Sequence, residues 1–160
     1  MEKEIKISGV TKEERYISLL SQIESLILYE TDLIAGLSNF SSAIHFGFNF
    51  FWTGFYLIKN SELVLGPFQG PVACSRIAYG KGVCGKCWEK KDVIIVDDVN
   101  KFPGHIACSS LSKSEMAIPV FDKTNEIVAV FDIDSDKLSF FDEIDKKYIV
   151  QAVSYLSHLF

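Results

Sequence analysis

Four cysteines of this 160-residue chain could take part in the widest range of reactions. They are Cys74, Cys84, Cys87 and Cys108. The N-terminus carries no pattern typical of an export signal, so the expected compartment is the cytoplasm, where thiols stay reduced. Such a set then indicates metal binding, thiol chemistry or packing. Cys74, Cys84 and Cys108 fall at turns, which argues against packing. Cys84 lies near the start of a short predicted helix, where the helix dipole favours the thiolate.

The cysteine spacing also permits a zinc site. Cys84-x-x-Cys87 and His105-x-x-Cys108 together have the ligand types and pair spacing of structural zinc. This set leaves Cys74 unexplained, and a chain of this length can form a core without metal. His105 could instead polarise the Cys108 thiol, or be an ordinary loop histidine. We expect no resident metal and no cofactor.

Three carboxylates make up the second candidate group. Alternate residues of a strand share one face, so Asp132 and Asp134 point the same way from an otherwise apolar strand. Buried without a partner they would be costly, so they either lie at a solvated strand end or meet a cation. Their mutual repulsion raises one pKa and suits that group to give up a proton. Glu115 begins the neighbouring strand and lies close to them, or is an exposed strand-end charge.

Two aromatic side chains make up the third candidate group. Trp52 and Tyr56 share a strand face four residues apart, with Gly54 leaving a gap between them. They form either part of the core or an aromatic wall for a small apolar or cationic group.

The helices and strands that the sequence pattern predicts around these residues indicate an α+β fold. A capping box at Thr11 begins a first helix, a second begins near Thr31 or Asp32, and Ser139 caps a last one. Between them come a short helix and a long loop. The predicted strands are 50–58, 63–68, 93–96, 115–121 and 127–134, the short helix 86–90, and the loop 97–113. We expect one domain over residues 11–160 after an N-terminal extension, 1–10. Its antiparallel sheet carries the terminal helices on one face and a loop-covered ligand pocket on the other.

Charge and hydropathy exclude two classes of partner. The formal net charge is −5, and no basic stripe offsets it, so nucleic acid is not expected. The longest apolar run is too short to span a bilayer, so no membrane association is expected either.

Seven ordered blocks of the sequence resemble the free methionine-(R)-sulfoxide reductases, a family of small GAF-fold enzymes. The resemblance runs from about Leu19 to the C-terminus. The blocks are Trp52-x-Gly-Phe-Tyr56, Leu65-Gly-Pro-Phe-Gln-Gly70, Cys74, Gly80-Lys-Gly-Val-Cys-Gly85, Phe102-Pro-Gly-His-Ile-Ala-Cys108, Ser114-Glu115 and Phe131-Asp-Ile-Asp-Ser135.

The resemblance implies an oxidoreductase that repairs an oxidative lesion, the free amino acid methionine-(R)-sulfoxide. Cys108 would be the attacking thiolate, and the residue that resolves its sulfenic acid would be Cys74, with Cys84 as an alternative or relay. Thioredoxin would then reduce the resulting disulfide. The resemblance further implies that three carboxylates bind the substrate ammonium group and protonate the sulfoxide oxygen, and that two aromatics enclose the methyl sulfide end. The carboxylates are Glu115, Asp132 and Asp134, and the aromatics Trp52 and Tyr56.

Two positions depart from the family pattern. Ser109 stands where the family has Asp after the attacking cysteine, and Cys87 stands where a small residue is common. Two other functions remain as alternatives: a non-enzymatic GAF module that senses a small ligand, and the zinc-bound structural domain. The oligomeric state stays open, although the family's tendency to form dimers favours a homodimer.

Overall fold

Three long helices pack together on one side of the molecule. The computed structural model describes residues 4–106 and 108–160; residues 1–3 of the predicted extension and Ala107 of the cysteine loop lie outside them. Helix α1 spans Lys12–Ile27 and α2 spans Leu33–Phe48. The predicted capping box is confirmed, because Thr11 and Glu14 satisfy each other's backbone N–H groups.

The last helix, α4, begins later than predicted. It spans Glu143–Ser154, and its N-cap is Asp142, so the predicted cap at Ser139 was wrong. The Asp142 carboxylate accepts the N–H groups of Ile144 and Asp145, whereas Ser139 has a positive φ of 49° in the preceding loop. A carboxylate that accepts two free N–H donors fixes the helix start more firmly than a hydroxyl three residues earlier.

A six-stranded antiparallel sheet forms the centre of the fold, which confirms the predicted α+β class. Its strand order is β3-β2-β1-β6-β5-β4. The strands are β1 Trp52–Lys59, β2 Glu62–Gln69, β3 Arg76–Ala78, β4 Ile94–Val96, β5 Ser114–Phe121 and β6 Ile127–Ser135. The three-residue edge strand β3 was not predicted, because three residues are too few to show an alternating pattern.

The sheet separates two hydrophobic cores. The larger lies under α1, α2 and α4 and contains the inward side chains of β1, β5 and β6, among them Phe55, Ile118 and Phe131. The smaller lies on the opposite face, where a short helix, α3 (Gly82–Lys90), and the loops cover the sheet. The loop predicted over 97–113 contains one turn of 3-10 helix, Val99–Lys101. Within the described part of the chain, no helix has the length and hydropathy needed to cross a membrane.

Candidate active site

The strand register brings the predicted carboxylates together on the smaller-core face. Trp52 pairs with Asp134 across β1 and β6, and Asp134 pairs with Glu115 across β6 and β5. Asp132 follows in the next row, opposite Gly54. Cross-strand partners on one face lie about 5 Å apart between Cβ atoms, so three carboxylates from two strands share one small region.

These carboxylates do not lie at a solvated strand end. Glu115 and Asp132 are each only 6% exposed, and Asp134 is half-buried. The alternative that Glu115 is an exposed strand-end charge was therefore wrong. Among the described residues, no group forms a hydrogen bond with Oδ1 of Asp132. A buried carboxylate oxygen without a donor is costly, so this oxygen is available to a hydrogen-bond donor or a cation.

Burial changes the protonation of the cluster. It raises the pKa values of Glu115 and Asp132, and the charge of Asp134 raises both further, whereas hydrogen bonds with Cys84 and Glu115 act to lower the pKa of Asp132. Burial also raises the pKa of Asp134 to about 6, although a hydrogen bond from the Ser112 hydroxyl opposes this. The predicted upward shift in a carboxylate pKa is confirmed, and the cluster can hold a proton near neutral pH.

The raised pKa of Asp134 predicts a pH-dependent effect of Asp134→Asn on stability. Asp134 keeps its proton up to a higher pH in the folded protein than in the unfolded chain. Ionising Asp134 therefore costs more free energy in the folded protein, and this carboxylate lowers the free energy of unfolding as pH rises from about 4 to above 6. We expect Asp134→Asn to raise the free energy of unfolding by on the order of 1–2 kcal/mol at pH 7.5 and to change it little at pH 4.

Urea denaturation of the disulfide-bonded protein at both pH values measures this difference. Asp136→Asn is the matched control, because Asp136 is an exposed carboxylate just after β6. An equal effect of Asp134→Asn at pH 4 and pH 7.5 would show that ionised Asp134 does not lower the free energy of unfolding as predicted.

An aromatic wall stands beside the carboxylates. The rings of Trp52 and Tyr56 stack with centroids 6.0 Å apart, and the indole N–H donates to the Pro71 carbonyl at 3.0 Å. Both side chains are buried. Gly54 makes this possible, because a Cβ there would lie 2.6 Å from Cη2 of the indole. The gap predicted at Gly54 is therefore filled by the edge of Trp52.

Helix α3 brings Cys84 onto the carboxylates. The helix begins at Gly82, four residues earlier than predicted, so Cys84 lies inside its first turn. Gly85 lets α3 approach β3 closely, since a Cβ there would lie 2.6 Å from the Ala78 carbonyl oxygen. The Cys84 thiol donates to Oε1 of Glu115 at 3.7 Å.

The prediction that the helix start favours a Cys84 thiolate was wrong. Burial raises the pKa of Cys84 well above its usual value, and Asp132 and Glu115 raise it further. The helix dipole contributes less than the removal of the thiol from water next to two carboxyl groups. Cys87 is also buried, within the smaller core, as a packing residue would be.

Cys74 and Cys108 form a disulfide bond. The bond joins the loop after β2 to the long loop before β5, across 34 residues of sequence, with the Cα atoms 5.2 Å apart. The zinc set that the spacing permits as an alternative is contradicted in this structure, because Cys108 is bonded to Cys74 and its sulfur is not a metal ligand. Cys84 and Cys87 are free thiols.

The loop that carries Cys108 is held by short-range contacts. The His105 N–H donates to the Phe102 carbonyl, and the Cys108 N–H donates to the Ile106 carbonyl. The Ser109 hydroxyl accepts the N–H of Leu111 and so supplies an acceptor for this turn. Within the described chain His105 Nδ1 has no hydrogen-bond partner, and burial lowers the pKa of this histidine.

All but one of the predicted site residues line a single cavity of about 40 Å³; Cys74 borders it through its bond to Cys108. The predicted residues that line it are Trp52, Tyr56, Cys84, Cys108, Glu115, Asp132 and Asp134. Sequence reasoning missed Ser112, whose hydroxyl binds Asp134. It also missed the apolar rim, which includes Val72, Ile77 and Ile106. No spacing pattern singles out these residues, since loop side chains reach the cavity only through the fold.

The six-stranded antiparallel sheet has helices on one face and, on the other, a cavity with a disulfide, buried carboxylates and an aromatic wall. The class of protein to which this architecture belongs is shown by comparison with known families. A GAF domain family model matches residues 40–159, and the chain belongs to the GAF domain family. Within it, the chain is closely related to the free methionine-R-sulfoxide reductases, which confirms the resemblance stated from sequence.

Three relatives illustrate this similarity. GAF domain-containing protein A of Dictyostelium discoideum is 54% identical and covers 99% of this chain and 100% of its own. The free methionine-R-sulfoxide reductase of Saccharomyces cerevisiae is 41% identical, over 89% of this chain and 83% of its own. The crystal structure of the Neisseria meningitidis free methionine-R-sulfoxide reductase in complex with its substrate is 43% identical. It superposes with a TM-score of 0.94 over 98% of this chain and 95% of its own.

Proposed function

We propose that this protein reduces free methionine-(R)-sulfoxide to methionine by cysteine chemistry. The observation that carries the proposal is the disulfide at the cavity: Cys108 lines the cavity that holds the buried carboxylates, and its sulfur is bonded to that of Cys74. A disulfide beside a cavity lined by buried carboxylates is what a thiol reductase of this kind would leave after turnover. The substrate-bound relative from Neisseria meningitidis supports the same choice of substrate.

The proposed cycle begins with the two loop cysteines reduced. The Cys108 thiolate attacks the sulfoxide sulfur, and a carboxylic acid of the cluster protonates the sulfoxide oxygen. Methionine then leaves with its lone pair restored, and the oxygen stays on Cys108 as a sulfenic acid. The Cys74 thiol displaces that oxygen as water and forms the disulfide, which a dithiol reductant of the thioredoxin type reopens.

The carboxylate cluster supports specificity for the free amino acid. Three acidic groups in a largely buried site favour a ligand that brings positive charge, and a free amino acid carries an ammonium group. Methionine sulfoxide inside a peptide has lost that charge, so it would leave the cluster unpaired. Trp52 and Tyr56 would contact the methyl sulfide end, for which stacked aromatic rings provide an apolar surface.

The reductant and the compartment follow from the chemistry of the cycle. The disulfide has to be reduced after each turnover, which requires a thiol reductant and a reducing compartment. The cytoplasm meets both conditions, and thioredoxin is the proposed electron donor.

Turnover of separated diastereomers tests the proposal. With a thioredoxin system we expect methionine from the free R sulfoxide and none above background from the free S sulfoxide. Methionine-(R)-sulfoxide within a peptide should be reduced at least about 100-fold less efficiently, because its binding leaves a buried charge unpaired. Comparable rates on the free and peptide-bound substrates would contradict the role given to the carboxylates. Binding of the free sulfoxide without turnover would favour the non-enzymatic sensor.

A further inference from the structure

Cys84, Glu115 and Asp132 form a mixed cluster of one thiol and two carboxyl groups, here called the thiol–carboxylate cluster. One ligand atom from each lies within 4.8 Å of the other two, and all three side chains are buried. The ammonium group of an amino acid requires only the carboxylates. The Cys84 thiol of the cluster is also outside the disulfide pair. The proposed cycle through Cys108 and Cys74 gives this sulfur no step.

The spacing of the cluster fits a tetrahedral Zn²⁺ ion. With Zn–S near 2.3 Å and Zn–O near 2.1 Å, a tetrahedral angle separates a sulfur and an oxygen ligand by about 3.6 Å. Sγ of Cys84 and Oε1 of Glu115 are 3.7 Å apart. The two atoms already stand at the separation that the ion would require.

A second observation also points to a ligand at this position. Asp132 is 94% buried and lines the cavity, and Oδ1 of Asp132 has no hydrogen-bond partner in the described part of the chain. A bound cation would satisfy this oxygen. The cavity of about 40 Å³ has room for an ion and a water molecule as its fourth ligand.

We propose that the thiol–carboxylate cluster binds one Zn²⁺, or a cation of similar softness such as Co²⁺, through the Cys84 thiolate and the two carboxylates. A thiolate ligand selects these ions over Mg²⁺ and Ca²⁺, which prefer sites made only of oxygen. The ion displaces the thiol proton to solvent and occupies the place proposed for the substrate ammonium group. It is therefore a reversible competitor of the free amino acid. The inference goes beyond the proposed reaction, because metal binding requires no turnover.

Titration of the metal-free, disulfide-bonded protein with Co²⁺ and Zn²⁺ tests the proposal. In this form the only free thiols are Cys84 and Cys87. We expect one ion per chain by calorimetry, and a thiolate-to-cobalt charge-transfer band in the near ultraviolet. Surface carboxylates and histidines give no such band. Mg²⁺ should not bind, and free methionine should weaken Zn²⁺ binding.

Matched variants locate the ion. We expect Cys84→Ala to lose the band and Asp132→Asn to weaken Co²⁺ binding at least about 10-fold, since each removes a ligand. Cys87→Ala, one helical turn along α3, should keep both the band and the affinity. The proposal is overturned if the wild type binds no ion, if Cys84→Ala keeps the band, or if Cys87→Ala also loses it. Far-ultraviolet circular dichroism checks that each variant folds. If Cys84→Ala does not fold, the affinity of Asp132→Asn for Co²⁺ decides the case.

Discussion

Cys108→Ser is expected to abolish reduction of free methionine-(R)-sulfoxide, with kcat lowered at least about 10³-fold, as for the loss of an enzyme's nucleophile. A serine hydroxyl is a far weaker nucleophile towards sulfur and does not form the sulfenic acid. The Cys108 side chain lines the cavity, and the substitution also removes the bond to Cys74. Steady-state methionine release with a thioredoxin system measures the effect.

Two other cysteine variants separate the roles of the thiols. Cys87→Ala is the matched control and should stay close to wild-type activity, because Cys87 packs in the smaller core and does not line the cavity. Cys74→Ser should still release one equivalent of methionine per chain but lose recycling by thioredoxin, because it lacks the proposed resolving thiol. Activity retained in Cys108→Ser would move the nucleophile to Cys84.

Asp132→Asn is expected to lower kcat/KM for the free amino acid by about 30-fold to 1,000-fold, the usual cost of removing one partner of a buried charge pair. The variant keeps the size of the side chain but removes the charge that would face the ammonium group. Asp132 is 6% exposed, so little water is available to replace the lost interaction. The loss should appear chiefly in KM, with preference for the free over the peptide-bound substrate reduced.

Glu126→Gln is the matched control for this experiment. Glu126 lies in the turn between β5 and β6 and is exposed, so its charge is screened by water and remote from the cavity. Equal losses in Asp132→Asn and Glu126→Gln would indicate a general effect of charge. An unchanged preference in Asp132→Asn would contradict the proposed ammonium site.

The alternation of side chains along β6 shows how far sequence alone predicts the site. Val128, Val130, Asp132 and Asp134 were expected on one strand face. The structure places the last three beside the smaller core or the cavity, whereas Val128, near the start of β6, packs against the larger core, so the prediction was wrong for that residue. Trp52 and Tyr56 were expected to share a face, and they do. Period-two alternation is a local property, so local sequence is enough to predict it.

The protonation of Cys84 could not be predicted in the same way. The expectation of a thiolate used only the position of Cys84 near a helix start, which is local information. The outcome depends on Glu115 and Asp132, which reach Cys84 from strands more than thirty residues away. Burial and long-range neighbours set this pKa, and neither is written in the spacing of residues around Cys84.

Loop contacts were unpredictable for a related reason. The residues that complete the cavity rim, such as Val72 and Ile106, belong to two loops without any periodic pattern, and the short edge strand β3 supplies Ile77. Their positions depend on how the loops after β2 and before β5 cross the sheet, where the disulfide joins them. Only the three-dimensional structure shows this.

A single-turnover experiment tests the central claim most directly. Fully reduced protein, freed of external thiol, is mixed with one equivalent of free methionine-(R)-sulfoxide, and both products are quantified by mass spectrometry. We expect one equivalent of methionine for each chain and, after proteolysis of the thiol-blocked protein, a single linked peptide pair joining Cys74 to Cys108. Methionine release without that link, a link through Cys84 or Cys87 instead, or no methionine at all would contradict the account.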